Sequence, residues 1–242
     1  MGHRMKRLCT VCARGGSKGV KNKNIRLLRG RPLIHHTIIQ AIESSLFDEI
    51  AVSSDSDEIL NAAKAAGATR LIVRPAELAS DASDKSPAIV HCGAEVERLT
   101  GQRFETFVDL DASAPLRTIR HIREAVALLE GGDVSNVFTV CPSRRNPYFN
   151  MVELDHAGHP RLCKTVDPPP VRRQDTPAVY DMNASVYVWR RQEYFELGAP
   201  VLANKTRMYV MPEFTAFDLD SEFDFAVIEA VFPRMSEFDH DH

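Results

Sequence analysis

Apolar positions along the chain follow two patterns: short continuous runs, and runs that recur every three or four residues. Leu8, Cys9, Thr10, Val11, Cys12 and Ala13 form a continuous run with the β-branched content of a buried first strand. Between Pro32 and Ser45 the stripe Leu33, Ile34, Thr37, Ile38, Ala41 and Ile42 predicts a helix, with Pro32 suited to its first turn. Ile50 to Ser53 reads as a strand, and Ser56 or Asp57 then caps a helix that Gly67 closes. TRLIVRP is the next strand, stopped at Arg74-Pro75, and Ser83 or Ser86 caps a helix running to Leu99. Thr106 to Leu110 is a strand that runs into Asp111 and a Pro115 stop; the helix TIRHIREAVALLEGG and the strand SNVFTVCP follow. Strands alternating with helices of this length predict one α/β domain with a doubly wound, mostly parallel sheet, its ligand at the strands' carboxyl ends.

After Ser143 the pattern changes. Residues 143–180 are rich in proline and arginine and contain one hairpin, NMVEL and RLCKTV around DHAGHP, so this stretch reads as an arm inserted in the domain. Ser185 to Trp189 returns to the sheet and is expected to lead into a helix; TRMYVMP is a late strand. FDLDSEFDFAVIEAVF closes the pattern as a loop and an amphipathic helix, with EFDHDH expected to fray and His240 and His242 to be a polar end.

The first strand delivers a loop, Arg14 to Asn24, with three glycines (Gly15, Gly16, Gly19), Arg14, three lysines (Lys18, Lys21, Lys23) and no acid. Glycines admit backbone N–H groups close to phosphate oxygens, and the cations offset their charge, so the loop suits a polyphosphate. It lacks both the G-x-x-x-x-G-K-S/T and the G-x-G-x-x-G order. Net charge of −3 over 242 residues excludes a general nucleic-acid binder, and the local cations favour a small anion. No apolar run approaches the length of a membrane span, and the N-terminus lacks a signal peptide's apolar core, so the reading is cytoplasmic. Five scattered cysteines suit reduced thiols; Cys9 and Cys12 face opposite ways in a strand, against a metal site.

ARGGSKGVKNKN resembles the N-terminal signature of the CMP-sugar synthetases that activate nonulosonic acids, the acylneuraminate cytidylyltransferases and their legionaminate and pseudaminate relatives. RPAELASD (Arg74 to Asp81), LDASAPLR (Leu110 to Arg117), YDMNASVYVW around Asn183, and FDLDSEFDF (Phe217 to Phe225) are similar to that family's later motifs, in its order. The resemblance implies a Rossmann-like nucleotidyltransferase fold and a homodimer whose insert reaches across the other active site. It also implies a Mg²⁺-dependent transfer of CMP from CTP to the sugar's anomeric hydroxyl.

In that reading Arg14 and Lys18, with the backbone at Gly15, Gly16 and Ser17, hold the phosphates, and Lys23 neutralises departing pyrophosphate. Asn24 and Arg74 match positions near ribose and cytosine; Arg173, Gln174 and Asn183 match positions around the sugar. Asp218 and Asp220, on one side of an extended D-x-D, suit Mg²⁺, although Asp220 with Ser221 can also be read as a helix cap. Asp111 stands where N-acetylneuraminate relatives tend to carry glutamine, and resembles the legionaminate branch. It orients the acceptor or assists its deprotonation; a turn-stabilising aspartate is the alternative. Asp181 stands where neuraminate relatives typically show arginine, which also turns the reading toward N,N'-diacetyllegionaminic acid, with N-acetylneuraminate and pseudaminate as alternatives. Ser113 and Arg117 read as loop and packing residues. A non-catalytic nucleotide-binding module would not need both Asp218 and Asp220, and a dinucleotide oxidoreductase would need a fingerprint that is absent.

Overall fold

The structure is a computed structural model that describes residues 5–16, 19–79, 85–198 and 200–239. In chain order its main elements are β1 (Arg7–Cys12), β2 (Leu27–Leu28), β3 (Arg31–Pro32), α1 (Leu33–Ser44), β4 (Glu49–Ser54), α2 (Asp57–Ala66), β5 (Arg70–Val73) and α3 (Lys85–Thr100). They continue with β6 (Thr106–Leu110), α4 (Ile119–Glu130), β7 (Asn136–Pro142), β8 (Val152–Leu154), β9 (Pro160–Leu162), β10 (Tyr180–Arg190), β11 (Thr206–Val210), α5 (Glu222–Val231) and α6 (Met235–Phe238). Seven strands form one sheet in the order β11-β7-β10-β6-β1-β4-β5. All its pairings are parallel except those of β10, which runs antiparallel to both β6 and β7.

Helices cover both faces, which is why the inner strands are buried on both sides and rich in apolar residues rather than alternating. Cys9 and Val11 pack with Ile34, Ile38, Ile59, Ala63, Ile122 and Val126, under α1, α2 and α4. Leu8 on the opposite face packs with Ile89, Cys92 and Val96 of α3. The two cysteines of the C-x-x-C therefore part, Cys12 lying against the second cluster, and the chain's five cysteines are free thiols. Ser56 caps α2 through the Ile59 N–H and Gly67 ends it in the left-handed region (φ 97°). No helix among the described residues is long and apolar enough to cross a membrane.

A third, smaller cluster positions the ligand edge. Val20, Leu28, Leu33, Leu116, Leu219, Phe225 and Ile228 are buried together. Val20 belongs to the glycine-rich loop, Leu116 to the turn after β6 and Leu219 to the segment before α5, so three sequence-distant loops share one apolar floor with Leu28 of β2, Leu33 of α1 and Phe225 and Ile228 of α5.

Several expectations are corrected. The return strand is longer, Tyr180–Arg190, and breaks register between Met182 and Tyr187, with Ala184 at φ 50°. Such a bulge depends on neighbours in space, not on local propensity. The segment after it is a single π turn, Gln192–Glu196, not an α-helix, because Tyr194 must reach back to stack on Trp189 (ring centroids 4.3 Å apart). The C-terminus does not fray at once: Asp239 accepts from Arg120 Nη2 at 2.5 Å and lies 3.1 Å from Nε2 of buried His121. His240 and His242 lie outside the described residues, as does Ser83. Ser86 is inside α3 and bonds the Tyr194 hydroxyl at 2.5 Å rather than capping.

One buried cation joins these parts. Arg117 is 0% exposed; its Nη1 donates to the carbonyls of Asp111 (2.8 Å), Ala114 (2.9 Å) and Ser185 (3.1 Å), and its Nη2 to Thr37 Oγ1 (2.6 Å). Arg117→Met should lower the unfolding free energy by about 3 kcal/mol or more, since buried carbonyls would lose a charged donor. Urea denaturation checks it; a loss below about 1 kcal/mol would show those carbonyls satisfied by other means.

Candidate active site

The carboxyl ends of β1, β4, β5 and β6 deliver the loops that carry most candidate residues. The glycine-rich loop is pinned at its start: Ala13 N donates to Ser53 O (3.0 Å), Gly15 N to Asp55 Oδ1 (2.8 Å), and Asn24 Nδ2 to the Arg14 carbonyl (3.0 Å). Asn24 is buried and so shapes the loop from beneath. A Cβ on Gly15 would sit 3.1 Å from Ser56 Cβ, and one on Gly19 would sit 2.0 Å from the Asp220 carbonyl oxygen, whereas Gly16 has nothing within 4 Å. Gly19 is therefore the point where the loop touches the D-x-D segment. Ser17 and Lys18 lie outside the described residues. Arg74 is buried after β5, its Nη2 donating to Ser53 O at 2.8 Å.

Lys23 fastens the same two segments, its Nζ 3.0 Å from both the Leu219 carbonyl and Asp220 Oδ1. Leu219 is fully buried between half-buried Asp218 and exposed Asp220, an alternation that turns both acids away from the core. Ser221, not Asp220, caps α5, its side chain accepting from the Asp224 N–H, so Asp220 is not needed as a cap. Partial burial, and then the neighbouring Asp220, raises the pKa of Asp218. Two crowded carboxylates of this kind suit a hard divalent cation that takes its remaining ligands from phosphates or water. Among the described residues no group of three or more His, Cys, Asp or Glu is placed to hold a metal ion.

Asp111 lies just past β6. Its Oδ1 accepts from the Ser113 N–H (2.8 Å) and hydroxyl (2.7 Å), and its Oδ2 from Lys85 Nζ (2.8 Å). Lys85 also lies 2.7 Å from Oδ2 of fully buried Asp109, whose Oδ1 accepts from Thr10. Burial alone would raise the Asp111 pKa, but the Lys85 ammonium and the Ser113 bonds overcome it and hold the carboxyl well below its usual range. Sequence reasoning missed Lys85. No local signal marks it, because its partner Asp111 lies 26 positions further along the chain.

Arg173 and Gln174 are elsewhere in this chain. They line a pocket of about 630 Å³ with Ser143, Asn146 and Tyr180, which shares no lining residue with the cleft that contains Asp111, and Arg173 Nη2 donates to Ser143 O at 2.7 Å. Asn183 is buried, accepting from Thr139 Oγ1 (2.7 Å) and donating to Thr215 Oγ1 (3.1 Å), so it braces the bulge of β10. Asp181 is exposed on that strand opposite Cys141. His35 and His36 bond the carbonyls of Ala62 and Leu28, ordinary packing contacts.

A family model described as Cytidylyltransferase matches residues 8–205. The chain is 45% identical over 222 residues to the CMP-N,N'-diacetyllegionaminic acid synthase of Campylobacter jejuni, covering 92% of this chain and 93% of that protein. It is 42% identical over 222 residues to the post-translational flagellin modification protein B of Campylobacter coli, with the same coverage. Among solved structures it resembles a CMP:2-keto-3-deoxy-manno-octonic acid synthetase complexed with CTP, at a TM-score of 0.65 and 16% identity over 95% of this chain and 99% of that one, a likeness of fold.

Gly19→Ala should destabilise the protein by about 1–3 kcal/mol, since a methyl group must push two packed loops apart. Gly16→Ala should stay within about 0.5 kcal/mol. Thermal unfolding of the two variants side by side checks the contrast; equal effects would contradict the assigned contact.

Proposed function

The chain belongs to the cytidylyltransferase family, and we propose that it transfers CMP from CTP to the anomeric hydroxyl of a nonulosonic acid, N,N'-diacetyllegionaminic acid first among them. The observation that supports this acceptor is Asp111, an ionised carboxylate fixed at the edge of the sheet within one turn of the D-x-D segment: Ser113 O accepts from the Leu219 N–H at 2.8 Å. The 45% identity to a CMP-N,N'-diacetyllegionaminic acid synthase supports the same choice.

In this reading the triphosphate lies on the glycine-rich loop, with Arg14, Lys18 and the backbone of Gly15, Gly16 and Ser17 against its oxygens. Mg²⁺, held by Asp218 and Asp220 together with the phosphates, would offset charge developing at the α-phosphate. Lys23, resting on Asp220, is placed to pair with pyrophosphate as it departs. Arg74 and Asn24 shape the nucleoside side. Asp111 accepts a hydrogen bond from the acceptor and aligns it opposite the leaving group.

Arg173 and Gln174 need a second copy in this reading. The arm of residues 143–180 exposes Val152 (65%), Leu154 (70%) and Val171 (87%), apolar surface that a homodimer would cover while carrying both polar residues to the other protomer's sugar site. Arginine suits the acceptor's carboxylate because its fork grips two oxygens. Free thiols and a requirement for CTP are consistent with the cytoplasm.

Pyrophosphate release with Mg²⁺, CTP and a panel of legionaminic, pseudaminic, N-acetylneuraminic and keto-deoxyoctonic acids tests the reading. The legionaminic acid should exceed each of the others by about tenfold or more in kcat/KM, and Asp218→Ala should lower kcat by about a hundredfold. Preference for another acid would overturn the acceptor assignment, and full activity in Asp218→Ala would overturn the metal site.

A further inference from the structure

The cleft beside Asp111 has a volume of about 420 Å³ and is lined by Lys85, Asp109, Asp111, Ala184 and the aromatic side chains of Tyr187, Trp189 and Tyr194. Its polar wall is unusual in charge. Asp109 is fully buried, and Lys85 Nζ bridges it to Asp111 at 2.7 Å and 2.8 Å. A structural ion pair needs one acid; here one ammonium stands between two, with a third of the lysine side chain still open to the cleft (33%).

Hydrogen-bond capacity shows what this wall offers. An ionised aspartate only accepts, and each oxygen takes about two bonds. Asp111 Oδ1 is filled by the two Ser113 donors, while Oδ2 holds only Lys85 and has one position left. An ammonium has three N–H donors. Lys85 Nζ donates to Asp111 Oδ2 and lies 2.7 Å from Asp109 Oδ2 as an ion pair outside hydrogen-bond geometry, and no third acceptor is found among the described residues. The wall thus presents one open acceptor and one open donor side by side. Across the cleft the buried Trp189 Nε1–H also lacks a partner among the described residues.

We infer that Lys85 is a specificity-determining residue of the acceptor site: its third N–H donates to a hydroxyl or acylamino oxygen of the sugar, while its other contacts fix Asp111 as a hydrogen-bond acceptor for an adjacent O–H or N–H. The inference rests on the proposed acceptor class and refines it to ligands that carry a donor and an acceptor on neighbouring carbons. It also removes Asp111 from the role of general base. A carboxylate held by an ammonium and two further donors is a weak proton acceptor, so Asp111 positions the nucleophile rather than deprotonating it. The charged and titratable groups facing this pair are Asp109 on β6, Cys12 on β1, Tyr187 on β10, and Arg117 and Asp218 on the flanking loops.

Steady-state kinetics of Lys85→Met and Lys85→Arg, with both substrates varied and pH scanned from about 5 to 8, tests the assignment. Lys85→Met should raise the KM for the acceptor by about tenfold or more and leave that for CTP within about twofold. It should also create an acid limb in kcat/KM, absent from the wild type, because two carboxylates without their ammonium compete for a proton and activity falls as pH drops. Lys85→Arg, which keeps the charge, should restore the flat acid side. If Lys85→Met does not fold, the double variant with Asp109→Asn removes the surplus buried acid and carries the KM comparison. An unchanged acceptor KM, a parallel rise in both KM values, or a wild-type acid limb near neutral pH would each overturn the inference. An inactive wild type with every nonulosonic acid would instead overturn the reading beneath it, and this inference with it.

Discussion

A guanidinium with no carboxylate touching it among the described residues is the keystone of this fold. Arg117 is buried completely, and desolvation lowers its pKa to about 10 even with Asp111, Cys9 and Asp109 within electrostatic reach. A cation in that position is tolerable only where oxygens surround it. The oxygens come from the turn after β6, the bulge of β10 and the middle of α1. Nη1 has several acceptors, but among the described residues Nη2 has only Thr37 Oγ1 and the buried Nε has none, so loss of the Thr37 contact would leave a second charged donor dry and the crossing of these three elements has little freedom to move. Gln40 adds to the restraint, its Nε2 donating to the carbonyls of Pro115 and Arg117 itself.

The turn so fixed serves both halves of the site. At one end Asp111 faces Lys85; at the other, Ser113 O takes the Leu219 N–H and sets the level of Asp218 and Asp220. Gly19 and Lys23 then dock the phosphate loop on that same segment. In the proposed reading, nucleotide, metal and acceptor are thereby referred to one rigid piece of backbone, which in-line transfer requires because small displacements of the nucleophile cost large factors in rate. Exposed contacts such as Lys23 with Asp220 add little to stability. Their value is in placing charge.

The strand-loop-helix order was readable because the inner strands are rich in apolar residues and helices such as α2 carry capping and closing residues, Ser56 and Gly67. The glycine-rich loop and the D-x-D pair could be singled out as candidates because the pattern that marks each is local in the chain. Features set by distant partners could not. The bulge at Ala184 answers to Arg117, Asn183 and Thr139, which lie far apart in the chain. Asp239, read as part of a fraying end, is held by Arg120 and His121 across more than a hundred residues. Lys85 carries no local signal; only the folded chain brings it against Asp109 and Asp111.

A crystal structure of the protein with CTP, Mg²⁺ and an unreactive analogue of the acceptor tests the whole arrangement most directly. The account predicts the triphosphate on the Arg14–Gly16 backbone, the cation between it and Asp218 and Asp220, and the sugar against Asp111 and Lys85. A nucleotide seated in the arm's pocket beside Arg173, or a sugar away from Asp111, would contradict it.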